Sequence, residues 1–546
     1  MNSSEALRSG ISTPSMVVDG AADRSVLERV LTLPCIVLSA ILLTSSKGGI
    51  SIGSSNHAGL LPVMRRILDP GYLPGDFNIQ LRLYHHRVFA WVLAGLSSLF
   101  GEERGVVLLH WAGALLMAAS LWFLCRTLRL SLWSYLTLIL LIASAFLWVG
   151  RGLEENDFIG NSEVQPPLFA HSFVVLALSL LIRARYRLAA FSLGLAVLLH
   201  LQIGVIATLM AAPFYALRLK DFGPRETARL ALCYLAPAAP AILHLIEMMQ
   251  RGLLRPASRT WSLPFYIDFR HPHHFELMSA AHGLWVGGHF AAMLAIHFWM
   301  KRRGFHEAAR AIGVFLQATA ALAALSLLHF TDYYILRNDR LANLQMIRLS
   351  PLVTVLGATA LLLLIELIAR RLADRTGRRW LPPAAAFALL LIATVAEIQA
   401  ARREASEFHF GVLPYSSKQT SWVRMCNWIR ANGPMDSAYL TPPGETGFTS
   451  LAHRSNIVEF KINPDGALQM AEWFERLRDL AGGSLPAERG LDNRKPLSKA
   501  YGRMTPDQLI AAGRKYNAKY AILPKESGVD FEVLYEVGEL RLVRLP

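Results

Sequence analysis

The feature that most limits this chain is a series of apolar runs, each long enough for a helix through a bilayer, that starts near residue 28 and stops near 402. Hydrocarbon ~30 Å thick is crossed at ~1.5 Å per residue, so a span takes about 20 apolar residues. Such runs lie near 28–46, 105–124, 131–150, 168–184, 188–201, 203–217, 227–247, 284–300, 308–328, 350–369 and 381–400. Inside lipid only helices and closed barrels satisfy their own backbone. The chain is therefore expected to be mostly α, a polytopic transmembrane bundle of about eleven spans by this length rule. The fifth and sixth runs are short and meet at His200-Leu201-Gln202.

Composition sets the domain boundary. Charged residues make up 17% of the chain, against about a quarter in soluble proteins, and the deficit is confined to the apolar stretch. We divide the chain into a cytoplasmic segment 1–27, a transmembrane domain 28–402 and a soluble α/β domain 403–546. Residues 1–25 lack the basic start, short apolar core and cleavage site of a signal peptide, so the first run reads as a retained span. The net charge of +15 does not indicate nucleic acid, because its arginines cluster in short loops between apolar runs. Cys35, Cys125, Cys233 and Cys426 show no metal-ligand spacing and no disulfide is expected.

Loop charge orients the spans. Residues 84–101 are the ambiguous run, a surface helix or a further span. Taken as a surface helix with the N-terminus inside, they place every short basic cluster on the inner side: Arg126/Arg129, Arg183/Arg185/Arg187, Arg218/Lys220/Arg225, Lys301/Arg302/Arg303 and Arg370/Arg371/Arg375. This is the positive-inside rule, and it puts the tail outside the cytoplasm. Four long segments then face outward, 47–104, 151–167, 248–283 and 329–348.

These four segments hold the candidate chemistry. In the first, Leu60, Leu61, Met64, Ile67 and Leu68 predict an amphipathic interfacial helix over 57–68 that stops at Pro70. Asp69 and Asp76 either face a cavity or cap helices. The second concentrates Glu154, Glu155, Asp157 and Glu163, either a solvated loop or carboxylates for acid/base or cation work. The third reads Asp268-Phe269-Arg270-His271-Pro272-His273-His274. Arg270 offers a fork for phosphate or carboxylate, and His273 and His274 add donors. No fixed partner spacing names a zinc site. In the fourth, Gln345 and Arg348 approach the next span, where Arg348 either snorkels or binds an anionic head group. His57, His171 and His200 stand near span ends, and Gln202 gives His200 a polar neighbour.

The tail alternates helix and strand signals. Helices are expected over 416–433, 464–483 and 505–518, strands at SAYL, NIVEFK and KYAILPK, and a hairpin at the C-terminal end. The pattern predicts a two- or three-layer α/β domain without a phosphate loop or nucleophile elbow.

A first span, an outer segment with an interfacial helix, a surface helix ending in LFGEE, paired spans around an acidic outer loop and a soluble tail together resemble the GT-C class of membrane glycosyltransferases. Within that class, the DPGYLPGD turn, the RHPHH turn and the VEFK segment resemble a bacterial multi-pass branch. The resemblance implies a location in the bacterial inner membrane, a polyprenyl-phosphate sugar donor, catalysis on the outer face, a carboxylate base and cations holding the leaving phosphate. Lipids are the implied partners, with a divalent metal allowed but not specified. The class places its catalytic acid soon after the first span, where this chain carries Asn56 and His57. Either His57 or Asp76 takes over as base, with Glu155 the candidate from the second segment, or the chain binds or moves a lipid-linked glycan, or scaffolds envelope assembly, without transferring sugar.

Overall fold

The computed structural model describes residues 26–546 except 54, 84–85, 145–147, 155–157, 161, 253–261, 338–343, 379, 405–410, 436 and 465–466. Helices stand at every predicted run: α1 (Val26–Ser45), α5 (Glu102–Thr127), α6 (Leu132–Ala143), α7 (Pro166–Ile182), α8 (Tyr186–Leu199), α9 (Leu201–Ala216), α10 (Leu219–Gln250), α11 (Ala280–Arg302), α12 (His306–Thr331), α13 (Pro351–Thr376) and α14 (Leu381–Glu404). Between α1 and α5 lie α2 (His57–Leu68), α3 (Phe77–Arg82) and α4 (Arg87–Phe100). Six helices are long and apolar enough to cross a membrane, those over 28–45, 102–127, 219–250, 280–302, 306–336 and 346–376. The others are shorter. The expected span over 131–150 holds a helix of only 12 residues, which ends at Ala143. The ambiguous 84–101 run is the 14-residue α4, with Trp91, Val92, Leu99 and Phe100 exposed.

The loops sort into two groups. At one end Arg129 pairs with Glu307, Arg370 donates to the Arg129 carbonyl, Arg371 donates to the Arg303 carbonyl, and Arg187 pairs with Glu226. These are the basic loops. Buried Glu366 fastens this end, accepting from Ser131 N at 2.7 Å, Ser134 Oγ at 2.5 Å and Arg370 at 2.6 Å. At the other end the four long loops meet one another and the tail. Met278 N donates to the Leu153 carbonyl, and Asn56 N donates to Glu163 Oε2 at 3.3 Å. The charge rule thus paired loops that the structure brings together.

Close helix packing rests on small residues. A Cβ on Gly194 of α8 would lie 2.3 Å from the Tyr234 carbonyl oxygen of α10. Both atoms belong to rigid helices, so Gly194→Ala is expected to cost about 1–3 kcal/mol, read as a lower thermal midpoint in detergent.

The tail is a three-layer α/β unit. Strands β3 (Ala438–Leu440), β4 (Ala518–Pro524), β5 (Glu532–Val537) and β6 (Leu540–Arg544) form one sheet in the order β3-β4-β6-β5. Pair β3–β4 is parallel and the others antiparallel. Side chains alternate across it. Tyr520, Ile522 and Leu542 pack with α15 (Ser421–Asn432) and α16 (Phe448–Ala452). Ala521, Leu523 and Val543 pack on the opposite face with Trp473 and Leu477 of α17 (Ala467–Leu480), Leu497 of α18 (Arg494–Tyr501) and Leu509 of α19 (Pro506–Tyr516). Thr505 and Gln508 form a capping box that starts α19, as the Thr-Pro sequence predicts.

One predicted strand is corrected. NIVEFK joins no ladder beyond an isolated bridge between Tyr439 and Asn456. Its backbone is spent elsewhere: Glu459 N donates to Asn78 Oδ1, and the carbonyls of Ile457, Glu459, Phe460 and Lys461 accept from Arg476, Trp473 and Arg270. A second pairing escaped the sequence. Strand β1 (Ile50–Ile52) runs parallel to β2 (Val412–Pro414), tying the chain after α1 to the chain after α14.

Candidate functional site: a polar centre where the long loops meet the tail

The first long loop reaches the tail through α2 and α3. Proline at 70 ends α2, where Asp69 is the C-cap and its Oδ1 accepts from Gly71 N at 2.8 Å. Asp76 caps α3, its Oδ1 accepting from Ile79 N at 2.8 Å. Its other oxygen faces the tail, accepting from Asn456 N at 3.3 Å and Thr449 Oγ1 at 3.4 Å. Asp76 is 1% exposed, so both oxygens are committed to structure. Asn78 donates to Asn456 Oδ1, and Glu459 accepts from Gly447 N at 2.8 Å and Phe448 N at 2.9 Å. Burial raises Asp76 to about 6 and Glu459 to about 7, and the Asp76 charge adds to the rise at Glu459. Arg65 closes this seam with a fork on Glu102 and a 2.8 Å bond to the Ser450 carbonyl.

His57 is also committed. Its Nδ1 accepts from Gly53 N at 3.2 Å, so Nε2 carries the proton and donates to the Val164 carbonyl at 3.2 Å. Burial lowers it to about 4, which keeps it neutral with no lone pair left to take a proton.

The second, third and fourth loops meet at Glu154. Its fully buried carboxylate stands 3.3 Å from His274 Nδ1 and 3.9 Å from Arg348 Nε. Burial, then the positive charge of Arg348, Arg270 and Lys461, holds His274 well below the ordinary imidazole range. The 3.3 Å approach of His274 Nδ1 is a close contact and not a hydrogen bond, and Glu154 Oε2 accepts none among the described residues. Arg348 Nη1 donates to Gln202 Oε1 at 2.5 Å, which brings the α8–α9 break into the same centre. Within that break His200 caps α9, accepting from Ile203 N at 3.3 Å, with its ring 4.8 Å from that of His86. Gln345 is 2% exposed, with its Oε1 unbonded among the described residues and its carbonyl accepting from Arg348 N. His171 stacks on Phe158 and bonds its carbonyl at 2.6 Å.

The third loop supplies the other donors. Arg270 ends a wide helical turn (Ser262–Arg270), and His273 and His274 form the next turn (Pro272–His274). The three imidazoles of 271, 273 and 274 pack together, with ring centroids 4.1 to 5.8 Å apart. Burial, then the neighbouring charges, takes His273 down to about 2. The tail grips this loop: Asn493 donates to the Phe269 carbonyl, and Arg489 pairs with Asp268 and Glu276.

The structure thus brings His274 and Arg348 to Glu154, with Gln202 and Gln345 bonded to Arg348 and His273 packed on His274, while Arg270 bonds the Phe460 and Lys461 carbonyls of the tail. It sets Asp69, Asp76 and His57 apart as structural groups. Glu155 and Asp157 lie outside the described residues. Sequence reasoning named Glu154 among four acids but singled out Glu155 and Asp157, because nothing local marks Glu154 as the carboxylate that meets His274 and Arg348. Among the described residues no group of three His, Cys, Asp or Glu is placed to hold a metal. A surface groove of about 640 Å³ runs beside the α4–α5 turn, lined in part by Phe100, Val107, Leu108 and Val412, and includes none of these site residues.

Fold and site define a mostly helical protein with six helices able to cross a membrane and an α/β tail closing its loop-rich end. A family model described as a domain of unknown function (DUF6798) matches residues 420–480. That segment carries Thr441, Thr449, Asn456, Glu459 and Lys461, most of the tail's contribution to the seam. No curated protein matches the chain.

Proposed function

We propose that the chain is a GT-C-like glycosyltransferase of the bacterial inner membrane that takes sugar from a polyprenyl-phosphate donor on the outer face. In this reading eleven helices span, the N-terminus is cytoplasmic, and the loop-rich end and tail are periplasmic. The observation that carries it is the buried Glu154 between His274 and Arg348. A carboxylate and a guanidinium side by side are what displacement at an anomeric carbon requires. Glu154 takes the acceptor's hydroxyl proton while that oxygen bonds to the anomeric carbon. The carbon–oxygen bond to phosphate breaks, its electron pair leaves on the phosphate, and Arg348 with the third-loop donors offsets that charge. Glu154 thereby takes the role that the sequence assigned to Asp76, His57 or Glu155.

The test is turnover in nanodiscs with polyprenyl-phosphate monosaccharides and a membrane acceptor fraction. Glu154→Gln is expected to cut turnover 10²- to 10⁴-fold while leaving the unfolding profile unchanged. Full activity in that variant would sink the assignment.

A second reading is a binder of lipid-linked glycan that performs no transfer. It is favoured by Asp76 and His57, whose polar atoms are spent on structure. Donor binding with no turnover by wild-type protein for any donor selects it.

A further inference from the structure

The seam between the third loop and the tail gathers three arginines and a lysine, Arg82, Arg270, Arg494 and Lys461, with Glu163 the one acid charge acting on Lys461 among the described residues. Arg270 is 2% exposed. Its Nε donates to the Phe460 carbonyl at 3.0 Å and its Nη2 to the Lys461 carbonyl at 3.2 Å, while Nη1 has no partner among the described residues. Lys461 is half-buried, and Arg82 and Arg494 complete the group. Arg82 donates to Asn463 Oδ1, and Arg494 donates to the Gly444 carbonyl and Thr446 Oγ1. No ion pair joins Arg270, Lys461 or Arg494 to a carboxylate among the described residues.

The charges around Lys461 are Arg270, Arg82 and Arg494 on one side and Glu163 on the other. His273 and His274 border the group, held neutral by burial and then by the neighbouring charges. Burying like charges together is costly unless a counter-charge joins them. An inward guanidinium nitrogen beside an ammonium fits a tetrahedral oxyanion: the fork supplies directed donors, and the lysine adds a point charge.

We propose that Arg270 of the membrane domain and Lys461 of the tail are the two halves of one phosphoryl-binding site, complete only when the tail is docked. The ligand is a phosphate monoester or free phosphate. The site stands whether or not the chain transfers sugar, since it needs neither Glu154 nor a donor sugar. It also gives the segment 420–480 a ligand-binding part in the full chain.

The experiment uses the full chain in nanodiscs of zwitterionic lipid. Inorganic phosphate and farnesyl phosphate are titrated separately, followed by phosphorus NMR line width and thermal unfolding. Wild type is expected to bind at least one of them saturably. Lys461→Gln should weaken binding at least tenfold, and Lys461→Arg should restore most of it. The Gln variant keeps both carbonyls that Arg270 uses, so the seam stays intact. Arg270→Gln should weaken binding as much. Burial, then the Arg270 charge, pushes Lys461 down to about 8, so affinity should fall as pH rises past 8 in wild type and not in Lys461→Arg. Binding of both ligands means that the phosphoryl group suffices, and binding of farnesyl phosphate alone points to a lipid head group. The proposal is overturned if wild type binds neither, or if Lys461→Gln binds as wild type does. Phosphate binding without sugar turnover would remove the transferase reading and leave this site in place.

Discussion

Asn456→Leu is expected to loosen the tail from the membrane domain by about 4 kcal/mol, since each stranded buried polar group costs ~1–3 kcal/mol. Asn456 is 2% exposed and joins both sides of the seam. Its Nδ2 donates to Thr441 Oγ1 at 3.2 Å and Glu459 Oε1 at 3.3 Å, while Oδ1 accepts from Asn78 Nδ2. Leucine matches the volume but leaves the buried Asn78 Nδ2 and Thr441 hydroxyl without their partner. Its backbone N–H to Asp76 survives, so the defect is confined to the side chain. Hydrogen exchange should rise over 74–83 and 437–461 while the α17 core stays protected. Unchanged protection in both segments would show that the seam does not depend on this residue.

The second large effect is on pH. Asp76 and Glu459 are carboxyls whose folded pKa values, about 6 and about 7, lie above the ordinary 3.8 and 4.5. A raised carboxyl pKa means that the folded state holds its proton more tightly. Its stabilisation is complete below the unfolded pKa and is lost as pH rises through the folded one. The seam should therefore weaken between about pH 4 and 7, and a shift of about two units is worth roughly 3 kcal/mol. Buried histidines act in the opposite sense. Burial lowers His57 to about 4 and His453 to about 3, so their protonation penalises the fold in acid. The carboxyl contribution is thus read as the difference between wild type and Glu459→Gln. That difference should change by about 3 kcal/mol from pH 4.5 to 7.5, as the coupled acids titrate. A flat difference would mean that the two carboxyls are not proton-linked to docking.

Much of this molecule is legible locally. Apolar run length located all eleven helices, and the 57–68 amphipathic pattern before Pro70 matched α2 residue for residue. In the tail, period-two alternation marked KYAILPK and the hairpin, and the Thr-Pro start marked α19. Loop charge groups Arg129, Arg303 and Arg370 at one end, where Arg370 bonds the Arg129 carbonyl and Arg371 the Arg303 carbonyl. The same local signals failed where backbone partners came from far away. NIVEFK has the composition of a strand, yet Arg270 and Asn78 bond the backbone that a neighbouring strand would have used.

The sequence by itself determined the mostly helical character, the apolar helices and the α/β alternation of the tail. Those follow from periodicity and transfer free energy, which act over a turn or a bilayer thickness. Only the tertiary structure decided which polar groups meet. Asp76 and Asn456 are 380 residues apart, and Glu154 draws its partners from two other loops. Their pairing is fixed by how apolar helices pack and by the cost of leaving a buried charge or N–H unsatisfied, a condition on the whole fold that no short window of residues contains.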